Sequence, residues 1–196
     1  MKKIIARLLI VIGLCIVGGS LYTNYKVEKA NNDIVETYEN LIENSIKGDK
    51  SIKEDKNKKS YSDKLPENII GVLKIPKIDL KVVVQEGTDM ETLKYAVGHF
   101  KETSMPGRAG NFAVAGHRLY TYNKFFSNLD KIQTGDSIEV LNNDGLHTYK
   151  VTSSEVVDPE QVEVLESNLD EKYITLITCT PKFVGSHRLV IKGKLI

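Results

Sequence analysis

Cysteine is scarce in this chain: Cys15 and Cys179 are the only two among 196 residues. No Cys/His spacing of the zinc-binding kind occurs, which excludes a zinc-stapled module. Charge of one sign is also lacking. A net charge of +1 supplies no basic field for a phosphate backbone, so a nucleic acid is not the expected partner. Internal repeats are absent as well, which excludes a solenoid. The hydrophobic share of 41% is enough for one core of ordinary size, with an appendage.

The appendage is N-terminal. Met1, Lys2 and Lys3 lead into an almost wholly apolar run from Ile4 to Tyr22. About 20 such residues cross the hydrocarbon of a bilayer, and Arg7, one turn in, can snorkel to the headgroups. A cleaved signal peptide would carry a shorter apolar core of about 7–15 residues before an A-x-A-like site. Gly18, Gly19 and Ser20 match such a site only loosely. Lys2, Lys3 and Arg7 precede the span, and positive charge stays on the cytoplasmic side. The expectation is a single-pass anchor with a cytoplasmic N-terminus and the remainder outside. Cys15 then lies inside the span and cannot bond Cys179. Thiols outside the cell usually oxidise, so an unpaired Cys179 there is either buried and inert or reactive and useful.

Residues 1–22 are thus expected as cytoplasmic tip and anchor, 23–69 as a stalk or linker, and 70–196 as the folded domain. Within the stalk, Ile34, Tyr38, Leu41 and Ile42 follow the spacing of one helical face, predicting a short amphipathic helix over 32–46. Gly48 would end it. DKSIKEDKNKKSYSDK follows, charged of both signs and almost free of apolar residues, as a solvated linker is.

From Ile70 the punctuation is that of a β domain. GVLKIPKIDLKVVVQEG predicts two strands broken near Pro76 and Asp79, and DMETLKYAV a short helix with Asp89 as its N-cap. NFAVAGH reads as a strand and FFSNLDKI as a helical turn. DSIEVLNNDGLHTYKVTSSEVV predicts a hairpin around Asn143-Asp144-Gly145. YITLITC and HRLVIKGKLI close the chain. About eight short strands with scattered helical turns predict a closed or nearly closed β-barrel.

Cys179 ends the run YITLITC, and Pro181 cannot continue a central ladder. The thiol therefore stands at a strand end, where sites form. A buried free cysteine acting as a small hydrophobe is the competing reading. A nucleophilic thiol needs a proton acceptor, typically histidine. His117 leads on position, since it ends the strand NFAVAGH behind a permissive Gly116. His99 and His187 stand behind it, and His147 opens an exposed strand. Arg188 begins the strand after Cys179, and its fork of donors suits the oxyanion of an acyl intermediate. Arg108 and Arg118 compete for that role.

TLITC at Thr175–Cys179, with Arg188 opening the following strand, resembles the sortase signature TLxTC…R. NFAVAGHR, ending in His117 and Arg118, is similar to the histidine segment of the same family. The resemblance covers 70–196 and implies an eight-stranded sortase-type β-barrel with short helices behind a transmembrane helix. It implies a cysteine transpeptidase of the outer face of Gram-positive membranes. Such an enzyme cleaves an LPxTG-like sorting signal after its Thr and holds the secreted protein as a thioester. It then passes that protein to an amine of peptidoglycan or of its lipid-linked precursor.

By the same resemblance His117, Cys179 and Arg188 are catalytic: Cys179 the nucleophile, His117 the acid and then the base, Arg188 the oxyanion donor. TLITCTP with a single anchor and a short outer part is most similar to class D, then class A. Residues 48–70 lack the DPW- or DPF-like lid motif of pilin-polymerising members. No cofactor is expected. Asp158, Glu160, Glu163 and Glu166 form an acidic loop that fits either a modulatory divalent cation or plain solvation. Val114 and Ile177 are candidates for a groove that takes a Leu-Pro segment, or for the core. Two other functions compete: a hydrolytic cysteine protease, and a membrane-tethered barrel that binds without chemistry.

Overall fold

A single helix carries both the apolar run expected as an anchor and the segment that follows it. The structure, a computed structural model, describes residues 2–46, 68–118 and 125–196. Helix α1 runs Lys2–Ile46. No glycine or proline occurs between Gly19 and Gly48, so nothing breaks it after the apolar run. The helix expected over 32–46 is the last third of this longer one, and the charged linker that follows lies outside the described residues. The apolar side chains described between Ile4 and Tyr22 are exposed. Among the described residues this is the one helix long and apolar enough to span a membrane.

The far half of α1 meets a different environment. Val35, Tyr38 and Ile42 are buried against Val72 and Val83 of the domain. Asn31, also buried, donates its amide to the Lys81 carbonyl at 3.1 Å and accepts from the Val83 amide at 3.4 Å. The third strand does not reach that edge, because its pairing begins at Val84. One asparagine thus satisfies two backbone groups that a strand edge would otherwise present unpaired. The Tyr38 hydroxyl donates to the Ile70 carbonyl, and Glu39 bridges Lys74 and Lys81. The segment expected as a stalk therefore packs on the domain as far as Ile42.

The domain is eight strands: β1 (Ile69–Ile75), β2 (Leu80–Glu86), β3 (Val97–His99), β4 (Gly110–Ala115), β5 (Ser137–Asn142), β6 (Gly145–Val157), β7 (Lys172–Thr180) and β8 (His187–Leu195). They close in the order β1-β2-β3-β4-β7-β8-β6-β5. Closure pairs every strand on both sides over at least part of its length. The pairs β2–β3 and β4–β7 are parallel.

Local chemistry places the joints where the sequence predicts them. Pro76 opens a 3-10 turn over Pro76–Ile78 that ends at Asp79 in the left-handed region, φ 50°. Asp89 caps the short helix α2 (Met90–Tyr95) by accepting from the Glu91 and Thr92 amides. Those bonds hold its carboxyl below the usual range. Gly145, at φ 121°, turns β5 into β6.

The interior is packed by alternate residues, including Leu73, Ile75, Val82, Val84, Phe112, Val114, Ile138, Tyr149, Ile174, Leu176 and Ile191. Val114 is among them, so it lines no groove. β3 is only three residues long, and it places His99 at a strand end.

Candidate active site

β4, β7 and β8 are neighbours in the barrel, and side chains alternate between faces along each. On β4, Phe112 and Val114 enter the core, leaving Ala113 and Ala115 outward with His117 next in phase. On β7, Ile174 and Leu176 enter the core, so Ile177 and Cys179 face outward. On β8, Leu189 and Ile191 go inward and Arg188 and Val190 outward. The register then aligns them. Cys179 pairs with Arg188 and Ile177 with Val190, while Ala115 pairs with Ile177. The Gly116 amide still donates to the Ile177 carbonyl at 3.1 Å, which continues the β4–β7 alignment past the end of β4. Two residues on from the Ala115–Ile177 pair, His117 falls in line with Cys179. By strand phase the three sequence candidates fall on one outward row, with Cys179 on β7, Arg188 on β8 and His117 two residues past β4.

Around that row the backbone is tightly constrained. A Cβ on Gly116 would lie 2.6 Å from the Phe126 ring, so glycine is required for this close approach. The Thr178 hydroxyl donates to the Gly116 carbonyl at 2.7 Å and is buried. Gly185, at φ 68°, places its Cα side against Cys179, where a Cβ would be 3.5 Å from the cysteine Cβ. Cys179 itself is half-exposed. Beneath it on the outer face, Ile177, Val157 and Val190 pack with Phe100, Val164 and Leu165. Phe183 and Val184, in the loop between β7 and β8, are exposed.

The other histidines are engaged elsewhere. His99 is 1% exposed. Its Nδ1 lies 3.1 Å from a Glu86 oxygen, its Nε2 faces the Thr103 hydroxyl and the Ser104 carbonyl, and its ring packs on Phe112. His147 bonds Asn142, and burial lowers its pKa. His187 contacts Ser186 and Asp158. Among the described residues, the imidazole of His117 has no hydrogen-bond partner. That availability is what an acid–base group requires.

The arginines separate too. Arg108 pairs with Asp144 at the surface. Arg188 donates from Nη1 to the Gly185 and His187 carbonyls, and among the described residues no carboxylate pairs with it. Arg118, which follows His117, falls out of phase with the row. It is 7% exposed and bonds the Cys179 carbonyl from behind. Its neighbour relation to His117 was the available signal, since adjacent residues point to opposite faces of a strand. In the acidic loop, no three of the His, Cys, Asp or Glu side chains described converge on a cation position.

A thiol, an imidazole and a guanidinium on one row can form and open an acyl–sulfur bond, the chemistry of a cysteine transpeptidase or a cysteine hydrolase. Known proteins resolve that choice. The sortase-domain family matches residues 73–196. Sortase D of Bacillus subtilis is 29% identical, over 100% of both chains. Sortase A of Bacillus anthracis is 29% identical over 99% of this chain and 94% of that one. Among solved structures, a Clostridium perfringens sortase D5 transpeptidase superposes with a TM-score of 0.67 at 32% identity, covering 86% of this chain and 99% of that one. The chain belongs to the sortase family, and its activity is that of a cell-wall cysteine transpeptidase. Members of the family are cell-surface enzymes that act on proteins bearing sorting signals and on amine acceptors of the wall.

Proposed function

We propose that Cys179, His117 and Arg188 carry the transpeptidation, on an LPxTG-like signal. The Cys179 sulfur attacks the Thr carbonyl carbon of the signal. The resulting oxyanion is met by the guanidinium of Arg188, whose Nη1 already turns toward the loop beside Cys179. The C–N bond to the following Gly breaks, and His117 gives its proton to the departing amine. A second amine, from peptidoglycan or its lipid-linked precursor, then attacks the thioester. Its proton passes to His117, the C–S bond breaks, and the sulfur is released. No electrons are gained or lost, so the cycle as written uses no cofactor. A divalent cation on the loop from Asp158 to Glu166 would be modulatory only.

The observation that carries this assignment is the shared outward row, in which the register pairs Cys179 with Arg188 and His117 alone keeps a ring without partners among the described residues. The apolar cluster of Ile177, Val157 and Val190 beside the thiol suits the Leu-Pro part of a signal. The positive charges before the apolar run of α1 support a single pass with a cytoplasmic N-terminus and an extracellular barrel. That places the site beside both secreted substrates and wall precursors.

The test is intact-mass measurement of the full chain in detergent micelles after incubation with an LPxTG-like peptide. A mass gain equal to the N-terminal peptide fragment is expected. It should be discharged by an added amine and be missing in Cys179→Ala. Turnover retained by Cys179→Ala removes the thiol from the mechanism. A thioester discharged only by water, with every amine tried, favours a hydrolase.

A further inference from the structure

We infer that Arg118 is a positioning residue for the nucleophile: a buried clamp that fixes the Cys179 peptide and ties it in register to His117. The inference rests on the proposed role of Cys179 and goes beyond it.

The β4–β7 ladder ends at the bond from the Gly116 amide to the Ile177 carbonyl. Beyond Ile177, the β4 side of β7 has no strand to pair with, although Cys179 and Thr180 still lie ahead. Two side chains take over. Thr178 reaches back to the Gly116 carbonyl. Arg118 reaches forward, donating from Nη1 to the Cys179 carbonyl at 3.3 Å and to the Thr180 hydroxyl at 2.7 Å. Its Nη2 is held by Asp130 at 2.9 Å. Asp130 sits on the 3-10 turn Leu129–Lys131, which Leu129 roots in the core. A third tie fixes the Arg118 backbone, whose carbonyl accepts from Ser127.

A guanidinium with a side chain only 5% exposed is costly to desolvate, and the Nε of Arg118 is buried without a partner among the described residues. Packing alone does not call for such a group, since an apolar side chain would fill the space without that cost. The return on it is geometric. The rigid fork holds the Cys179 carbonyl and the Thr180 hydroxyl on Nη1 in fixed geometry to the Asp130 carboxylate on Nη2, which an ammonium cannot do. Because Arg118 directly follows His117 in the chain, the distance between base and nucleophile is set through one residue. Its burial and its commitment to Cys179, Thr180 and Asp130 keep it from the substrate's oxyanion, so it acts through Cys179.

The test is steady-state kinetics of the full chain in micelles, normalised to Cys179 titrated with a methanethiosulfonate reagent. Arg118→Met should lower kcat per titrated thiol by about 10- to 100-fold, the range expected of a displacement near 1 Å, with KM changed less than about 3-fold. Arg118→Lys should restore part of kcat, because it keeps the charge and one donor direction. Thr180→Val, which removes one acceptor at nearly constant volume, should cost less. Combined with Arg118→Met it should cost nothing further, since Arg118→Met already breaks the bond that Thr180→Val removes.

A purely structural role would lower the melting temperature and the fraction of titratable thiol, yet leave kcat per titrated thiol at the wild-type value. That result in Arg118→Met overturns the clamp. Should Arg118→Met fail to fold, wild-type kcat in both Arg118→Lys and Thr180→Val overturns it equally. A wild-type protein that forms no thioester removes the role of Cys179 itself, and the clamp with it, whereas a wild-type thioester with undiminished variants removes the clamp alone.

Discussion

His99 and His117 leave adjacent strands, β3 and β4, and end in opposite situations. His99 is closed in by Glu86, Thr103, Ser104 and Phe112, so both ring nitrogens are engaged and no solvent or substrate reaches them. His117 emerges two residues beyond the end of β4, on the outward face, with its ring unengaged among the described residues. An imidazole that must take and give a proton in turn has to be uncommitted in the ground state. The same side chain, placed on the neighbouring strand, is a structural cross-link. Hydrogen bonding capacity spent on the fold is capacity withdrawn from catalysis.

The sharpest way to break this contrast is to remove each ring in turn. His117→Ala should lower kcat/KM by about 10²–10⁴, the span of positioned acid–base catalysis, while the urea midpoint stays close to wild type. His99→Ala should do the reverse. It empties a buried ring position and strips Glu86 and Thr103 of a partner, a loss of about 2–4 kcal/mol in stability. The rate per titrated thiol should hold. Urea unfolding and thiol-normalised kinetics on the pair decide the matter, and crippled chemistry in a stable His99→Ala protein would exchange the two roles.

That contrast was only half legible in the sequence. The row could be anticipated because its cues are local: a strand ending at Cys179 before Pro181, a strand ending at His117 behind Gly116, and an arginine opening the next strand. The hairpin at Asn143-Asp144-Gly145 was legible for the same reason, since turn chemistry is written in adjacent residues. His99 was not. β3 is three residues long and has no periodicity of its own, and the groups that enclose His99 arrive from β2 and from the loop after β3.

The docking of α1 was legible in part. The apolar period of Ile34, Tyr38 and Ile42 predicted a face, but its target on β1 and β2 depends on the closed barrel. Asn31, which completes the edge of β2, carries no apolar signal at all. Arg118 was visible as a candidate, yet its reach to the Cys179 carbonyl follows from the parallel β4–β7 pairing, a non-local fact.

Arg188 sharpens the comparison from the other side of the thiol. Its guanidinium presently bonds two carbonyls of its own loop, a commitment far lighter than that of His99. Arg188→Lys keeps the charge but loses the fork, and the expected cost in kcat is about 10-fold, less than the 10²–10³ seen when an oxyanion donor is removed outright. Stopped-flow measurement of thioester formation reads this step directly. A rate equal to wild type removes Arg188 from oxyanion stabilisation and leaves it a substrate-binding or structural role.

The smallest effect belongs to His147, which is intermediate between the two cases: half-buried, bonded to Asn142 through Nε2, and packed so closely on Gly107 that a Cβ there would meet the ring at 2.3 Å. Burial lowers its pKa. Asp144 opposes that shift, and Lys172 and Arg108 add to it. The folded state therefore takes up a proton less readily than the unfolded chain, whose histidine titrates near about 6.5. Stability from this group is fully present above that pH and is lost as pH falls through the lowered folded value, because the unfolded chain then binds more protons. Melting temperatures at pH 7.5 and 5.5 should differ more for wild type than for His147→Gln, which keeps a hydrogen-bonding side chain but cannot titrate. An equal pH dependence in the two proteins would assign the acid sensitivity between these pH values to other groups.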